Sequence, residues 1–302
     1  MGYAEYASQI IIYRTPYSEQ FKKLVELAHK YNKPVFYDID DLVYDTSYTD
    51  QLEYVKTLGK QEKEAYDSGV RSYGKLMKLC DAFITSTTDL KNELSKLGKP
   101  VYLNRNLASE ELISISKQAI TKNIKDKKKI KIGYFSGSIT HNENFDLIRS
   151  TILKILKEFP QTELHLVGHL TIPDEMKRYK EQLVIHDFVD WTLLPSLVSD
   201  MDINLAPLVD TVFNRAKSEI KWLEASLVGV ATVASDIGSF SDTITNGTTG
   251  VLVADGMWYE QLRDLVNNKT KLEVLGINAK RKAISTYKTT KHKDEFIEAI
   301  HG

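Results

Sequence analysis

The chain has 302 residues, 42% of them hydrophobic and 27% charged, with a formal net charge of -1. That length allows one or two domains with sizeable cores, and the balanced charge gives no electrostatic footprint for a nucleic-acid partner. The single cysteine, Cys80, excludes an internal disulfide and fits a reducing compartment as a small buried residue. No uncharged apolar run is long enough to span a bilayer, and the N-terminus lacks the basic-then-apolar order of a secretory leader. A cytoplasmic protein is expected, with the inner face of a membrane left open to it.

Short apolar runs alternate with helical periodicity from end to end, the pattern of an α/β fold built on parallel sheets. In the first part SQIIIYRT and PVFYDID read as strands, EQFKKLVELAHKYN as the helix joining them, and DAFITS and PVYLNR as two further strands. Between them QLEYVKTLGKQEKEAYDSGVRSYGKLMKLC is helical but carries Gly59, Gly69 and Gly74, which predicts two or more pieces. After the helix-like SEELISISKQAI, the lysine-rich KNIKDKKKIK reads as a solvated linker. Boundaries are therefore expected at residues 1–123, 124–285 and 286–302, the last a C-terminal helix with the option of returning to the first domain.

A second α/β series opens with the strand KIKIGYFSG and the helix NFDLIRSTILKILKEF, in which Phe145, Ile148, Ile152, Ile155, Leu156 and Phe159 recur at helical spacing until Pro160. Strand ELHLVG, strand LVIHDFV, helix LLPSLVSDM, strand INLAPL, helix SEIKWLEASLVG, strand VATVAS and the turn-rich TNGTTGVLVAD follow in order. The lysine-rich tail after Tyr259 is helical in pattern and carries no recognisable chemistry.

Three stretches hold the candidate chemistry. In VFYDIDDLVYD, Asp38-Ile39-Asp40 has the acid-x-acid spacing that can hold a divalent metal. The same carboxylates could instead act as acid or base, or cap the next helix and pair with Arg14 of the neighbouring strand. In GYFSGSITHNENF, Gly137 and Ser138 follow a strand and precede a helix, where open α/β sheets place anionic ligands against free backbone N–H groups. The spacing matches neither dinucleotide nor P-loop fingerprints, and ordinary turn and cap roles fit it as well. His141 of that loop reads as a phosphate or sugar contact, or as a solvent-exposed residue. In FNRAKSEIKWLEASLVG, one helix would put Lys217, Lys221 and Glu224 on one side and bury Ile220, Leu223 and Leu227 on another. That polar side suits a diphosphate near the helix start and a ribose further in, or else is a salt-bridged exposed face.

Taken in order, IGYFSGSITHNENFDLI, LHLVGHL, VIHDFVDW, LPSLVSDMDINLAPL, NRAKSEIKWLEASLVGVATVAS and TNGTTGVLV resemble glycosyltransferase family 4, of the GT-B fold. The likeness covers most of Ile130 to Asp255 and lies nearest to bacterial enzymes of O-antigen, capsule, S-layer and rhamnose-containing wall polysaccharides. It implies two Rossmann-like domains facing a cleft, a reduced acceptor-side domain first and a nucleotide-sugar domain second.

Donor contacts are implied at Gly137, Ser138, His141, the Phe188-Val189 backbone, Asn214, Ser218, Lys221 and Glu224, with Glu224 matching the second glutamate of the family's E-x7-E motif. Ala216 replaces the first glutamate, so Arg215 and Lys217 become the candidates to neutralise the departing diphosphate. On the acceptor side Arg14 and Asp38 are implied, with Asp40 or Asp41 to orient or deprotonate the acceptor hydroxyl. The implied reaction moves a sugar from a dTDP-, UDP- or GDP-linked donor to a glycan or lipid-linked glycan, without metal or other cofactor. Association with a membrane surface or a partner enzyme stays open. The alternative is a non-catalytic GT-B-like module that binds a partner enzyme or a glycan.

Overall fold

The computed structural model describes residues 5–122, 129–137, 142–290 and 295–297. The chain divides into two compact units: Met1–Arg105 with Thr211–Ser218 and Lys293–Gly302, and Asn106–Asp210 with Glu219–His292. All pairings within the two sheets are parallel.

The first unit has a four-stranded sheet in sequential order: β1 (Ile10–Tyr13), β2 (Val35–Asp38), β3 (Ala82–Thr85) and β4 (Val101–Leu103). Alternation sorts its side chains. Ile12, Val35, Tyr37, Ile39 and Phe83 enter the main core, while Phe36, Ala82 and Ile84 pack on the other face with Phe296. The helix Glu19–Lys30 starts at Ser18, whose hydroxyl accepts from the Phe21 N–H at 3.3 Å, and it buries Val25 and Ala28.

The long helical stretch breaks at Gly59 but runs unbroken over Lys60–Met77, so Gly69 and Gly74 do not interrupt it. Gly74 answers to packing instead: a Cβ there would stand 2.4 Å from the Tyr44 carbonyl oxygen. The segment Thr211–Ser218 belongs to this unit because it buries Phe213 and Ala216 in the main core. Thr87 fastens it, accepting from the Leu90 N–H as a helix cap and donating to the Ala216 carbonyl at 2.9 Å. Glu295 pairs with Lys91 at 2.5 Å and accepts from the Leu103 N–H at 3.2 Å.

The second unit has a six-stranded sheet formed by β5 (Ile130–Ser136), β6 (Thr162–Gly168), β7 (Leu183–His186), β8 (Ile203–Ala206), β9 (Ala231–Ser235) and β10 (Val251–Val253). Their order is β10-β9-β8-β5-β6-β7, so the winding reverses between β5 and β8. The helix Asn142–Glu158 covers one face through the stripe of Phe145, Ile148, Ile152, Ile155 and Leu156. The helix Glu110–Lys122, with Ile113 in the cluster around Trp222 and Leu223, packs in this unit.

Candidate functional site

In open parallel sheets ligands gather beyond the carboxyl ends of the strands where the winding reverses. In the second unit that place is the pair β5 and β8, and Gly137 follows β5 there as an exposed residue. The ends of β5 and β6 are drawn together by the Ser136 hydroxyl, which donates to the His169 carbonyl at 2.6 Å. Gly168 sits at φ 87° with a virtual Cβ 2.2 Å from the Ser136 carbonyl oxygen, so only glycine fits this approach. Beyond the reversal, buried Asn144 accepts from the Val209 N–H at 2.9 Å, and the Leu208 N–H donates to Ser235 at 2.8 Å. Phe188 is 61% exposed and stacks on His169 with ring centroids 5.6 Å apart; Val189 follows it, half-buried. Ser138 and His141 lie outside the described residues.

Glu224 projects from the helix Ile220–Leu227 into a pocket of about 70 Å³ bounded by Leu112, Ser116, Trp191, Leu194 and Pro195. Burial is the main influence on its carboxyl and pushes the pKa up to about 7, against the lowering effect of Lys221. The Lys221 ammonium is held 4.9 Å from the centroid of the Tyr134 ring. Glu219, at the start of this helix, accepts from the Tyr287 hydroxyl at 2.6 Å, which fixes where the helix begins.

That beginning corrects the expected geometry of Lys217. The helix starts at Ile220, after a separate turn over Val212–Arg215, so Lys217 shares no helical face with Lys221 and Glu224. Lys217 is grouped with the first unit, along with Asn214, Arg215 and Ser218. Asn214 is buried beside its cap Thr211, whereas Arg215 is exposed. The Lys217 ammonium stands 3.6 Å from Asp41 and 4.8 Å from the centroid of the Phe213 ring.

Around Asp41 the first unit gathers its charges at the carboxyl ends of β1 and β2. Arg14 follows β1 at φ 38°, a backbone state costly for a residue with a side chain. Its N–H donates to the Asp38 carbonyl at 2.9 Å, and its guanidinium lies 3.0 Å from Asp40 and 3.9 Å from Asp41. Asp40 is thus ion-paired, and Asp41 stands between two cations. Asp38 differs: burial, then the charge of Asp40, raises its carboxyl to about 6. Among the described residues no three His, Cys, Asp or Glu side chains gather to hold a metal ion, and no helix is long and apolar enough to cross a membrane.

The structure therefore brings Arg14, Asp40, Asp41 and Lys217 together in one unit, and Glu224 with its pocket in the other. Three residues went unseen in the sequence. Trp191 ends VIHDFVDW without an assigned role, Ser116 lies in a helix far away in the chain, and His169 follows a strand end whose partner Phe188 comes nineteen residues later. An exposed tryptophan just past the Phe188-Val189 strand end was the one signal that could have pointed to the pocket.

With this geometry described, comparisons with known proteins bear on it. Residues 130–268 match the family described as glycosyl transferases group 1. No curated protein sequence matches the chain. Among solved structures, WaaG, a glycosyltransferase involved in lipopolysaccharide biosynthesis, is similar with a TM-score of 0.61 at 13% identity, over 94% of this chain and 76% of WaaG. HepE of Anabaena, in complex with UDP-glucose, gives 0.58 at 15% identity over 96% and 77%. A TarM variant of S. aureus, in complex with fondaparinux, α-GlcNAc-glycerol and UDP, gives 0.57 at 13% over 89% of this chain. The chain spans 50% of TarM's length. The protein has the GT-B fold, and its residues 130–268 are similar to the glycosyl transferases group 1 family.

Proposed function

We propose that the chain transfers a glycosyl group from a nucleotide-diphosphate sugar to a glycan hydroxyl. The observation that carries this reading is Glu224 in its pocket against Trp191, within a group 1 glycosyltransferase domain whose winding reverses at Gly137. Glu224 would accept hydrogen bonds from the ribose hydroxyls, the Phe188-Val189 backbone would border the base, and Gly137 with the following N–H groups would face the diphosphate. In transfer, the bond from the anomeric carbon to the diphosphate oxygen breaks and its electron pair leaves with the diphosphate. The main catalytic demand is to stabilise that charge. Lys217 and Arg215 would meet it, with Asn214, Ser218 and Lys221 supplying polar contacts to the donor.

A UDP-linked donor is the first to test, since HepE and TarM are solved with UDP, with GDP- and dTDP-linked donors beside it. A growing bacterial surface polysaccharide is the acceptor class we favour, a lipid-linked glycan included. We take the reaction to be metal-independent, so EDTA should leave its rate unchanged. Calorimetry of the folded protein against UDP-, GDP- and dTDP-sugars tests the central claim: one of them should bind, and silence from all would overturn it.

One observation favours a second reading, a non-catalytic module that binds a glycan or a partner enzyme. Ala216, in the place of the family's first glutamate, is fully buried in the core and cannot contact a sugar. Loss of transfer in Lys217→Ala with an intact fold would exclude that module.

A further inference from the structure

The pocket beside Glu224 lies wholly within the second unit, and three elements build it. Glu224 comes from the helix Ile220–Leu227, Trp191 with Leu194 and Pro195 from the segment after β7, and Leu112 with Ser116 from the helix Glu110–Lys122. That last helix precedes residues 130–268, the stretch similar to glycosyl transferases group 1, so what it adds to the pocket lies outside that similarity.

The lining is apolar except at three points: the Glu224 carboxylate, the Ser116 hydroxyl and the N–H edge of the Trp191 indole. Neither Glu224 nor Ser116 makes a side-chain hydrogen bond or ion pair among the described residues, although Ser116 is only 2% exposed. Burial raises the proton affinity of the carboxylate against the pull of Lys221, as expected of an acceptor short of donors. A carboxylate and a hydroxyl that share a small apolar pocket without partners are costly. Both call for a ligand that brings more than one O–H. The volume, about 70 Å³, admits a few water-sized groups and no more. It therefore takes the hydroxyl-bearing edge of a sugar, with the half-exposed Trp191 ring at the rim to lie against the sugar's C–H face.

We propose that this pocket selects ribonucleoside diphosphates over their deoxyribose counterparts, with Ser116 as the specificity residue. Glu224 accepts from the adjacent 2′- and 3′-hydroxyls, and Ser116 hydrogen-bonds to one of them. This rests on the glycosyltransferase reading above and narrows its donors to UDP- and GDP-linked sugars, setting dTDP-linked ones aside. A site built around a pair of hydroxyls rejects an analogue that lacks one, because the protein group left behind is buried without a partner.

Calorimetry on the full chain decides, with UDP and GDP each set against its 2′-deoxy and 3′-deoxy forms, for the wild type and for Ser116→Ala; thermal melts confirm that the variant is folded. Whichever base is accepted, the wild type should bind the ribonucleotide about 10–100-fold more tightly than either deoxy form, and dTDP should bind as weakly as 2′-deoxy-UDP. Ser116→Ala should weaken the ribonucleotide about 3–10-fold and shrink one of the two deoxy penalties, because that hydrogen bond is then already missing. Nucleotide binding should also change the tryptophan emission of the wild type and not that of Trp191→Phe, since Trp222 and Trp258 are buried. Equal affinity of the wild type for ribo and deoxy forms overturns the selection, and two intact deoxy penalties in Ser116→Ala overturn the role of Ser116. An emission change that persists in Trp191→Phe puts the nucleotide elsewhere and overturns the site. Failure of the wild type to bind any nucleotide overturns the glycosyltransferase reading itself, and this inference with it; binding without discrimination overturns this inference alone.

Discussion

The carboxyl ends of the two sheets solve the same problem differently. The second unit reverses its winding between β5 and β8, and it sets one partly buried glutamate in a small pocket. The first unit winds in one direction, offers no reversal, and concentrates side-chain charge at the ends of β1 and β2 instead. The contrast fits the roles proposed above for the two units. A nucleotide is recognised by shape and backbone donors, whereas chemistry on a hydroxyl needs ionisable side chains held by one another.

Breaking either side should give separable effects. The largest is expected for Lys217→Ala: removal of one charge-stabilising donor costs about 10²–10³-fold in transfer rate, and calorimetry should show nucleotide binding little changed. Glu224→Ala should do the reverse, weakening nucleoside diphosphate binding by roughly 10- to 100-fold, as expected when a charged hydrogen-bond acceptor is lost. Equal damage to binding and turnover in both variants would erase the contrast.

A smaller effect concerns stability and pH. Both Asp38, raised from 3.8 to about 6, and Glu224, raised from 4.5 to about 7, bind protons more tightly when folded than unfolded. Their contribution is fully present at low pH and lost as pH rises through about 4 to 7, because the unfolded chain ionises first. Asp38→Asn should therefore stabilise the protein at pH 7 by about 1–2 kcal/mol after allowance for solvent screening. It should do nothing at pH 4; thermal melts at both values decide. Least of all, Thr87→Ala should cost about 1 kcal/mol, from a lost helix cap and a lost tie to Ala216, and nucleotide affinity should not follow it.

Much of this was legible in the chain. Apolar runs marked the strands and 3.6-residue periodicity marked the helix Asn142–Glu158, because burial of one face is a local pattern. The turn at Gly137 after β5 was legible as a strand end, whereas Glu224, on the polar side of a helix, was singled out only through the family resemblance. The pairing of Arg14 with Asp40 was readable as one option among several, since adjacent strand ends bring such residues together. What could not be read was set by tertiary contact. Helical spacing runs straight through Lys217, and only the burial of Phe213 and Ala216 elsewhere pulls that lysine off the helix. Gly74 looked like a helix breaker because sequence shows its freedom and not the Tyr44 carbonyl pressed against it. The commitment of Asp41 to two cations depends on a residue as distant as position 217.

The excursion of Thr211–Ser218 has a consequence for how such a protein can be cut or recombined. Neither unit is a continuous stretch of chain, although the family match runs without interruption across both sides of the excursion. A fragment spanning residues 106–292 would carry eight residues whose apolar side chains, Phe213 foremost, have lost their core, and an ammonium that has lost its carboxylate. Exchange of the family-matched region between relatives by a single crossover would import a foreign Lys217 segment into a resident first core. Compatibility would then be decided by how Phe213 and Ala216 fit around Ile12, Tyr37 and Leu90, so exchange of the second unit is coupled to the packing of the first.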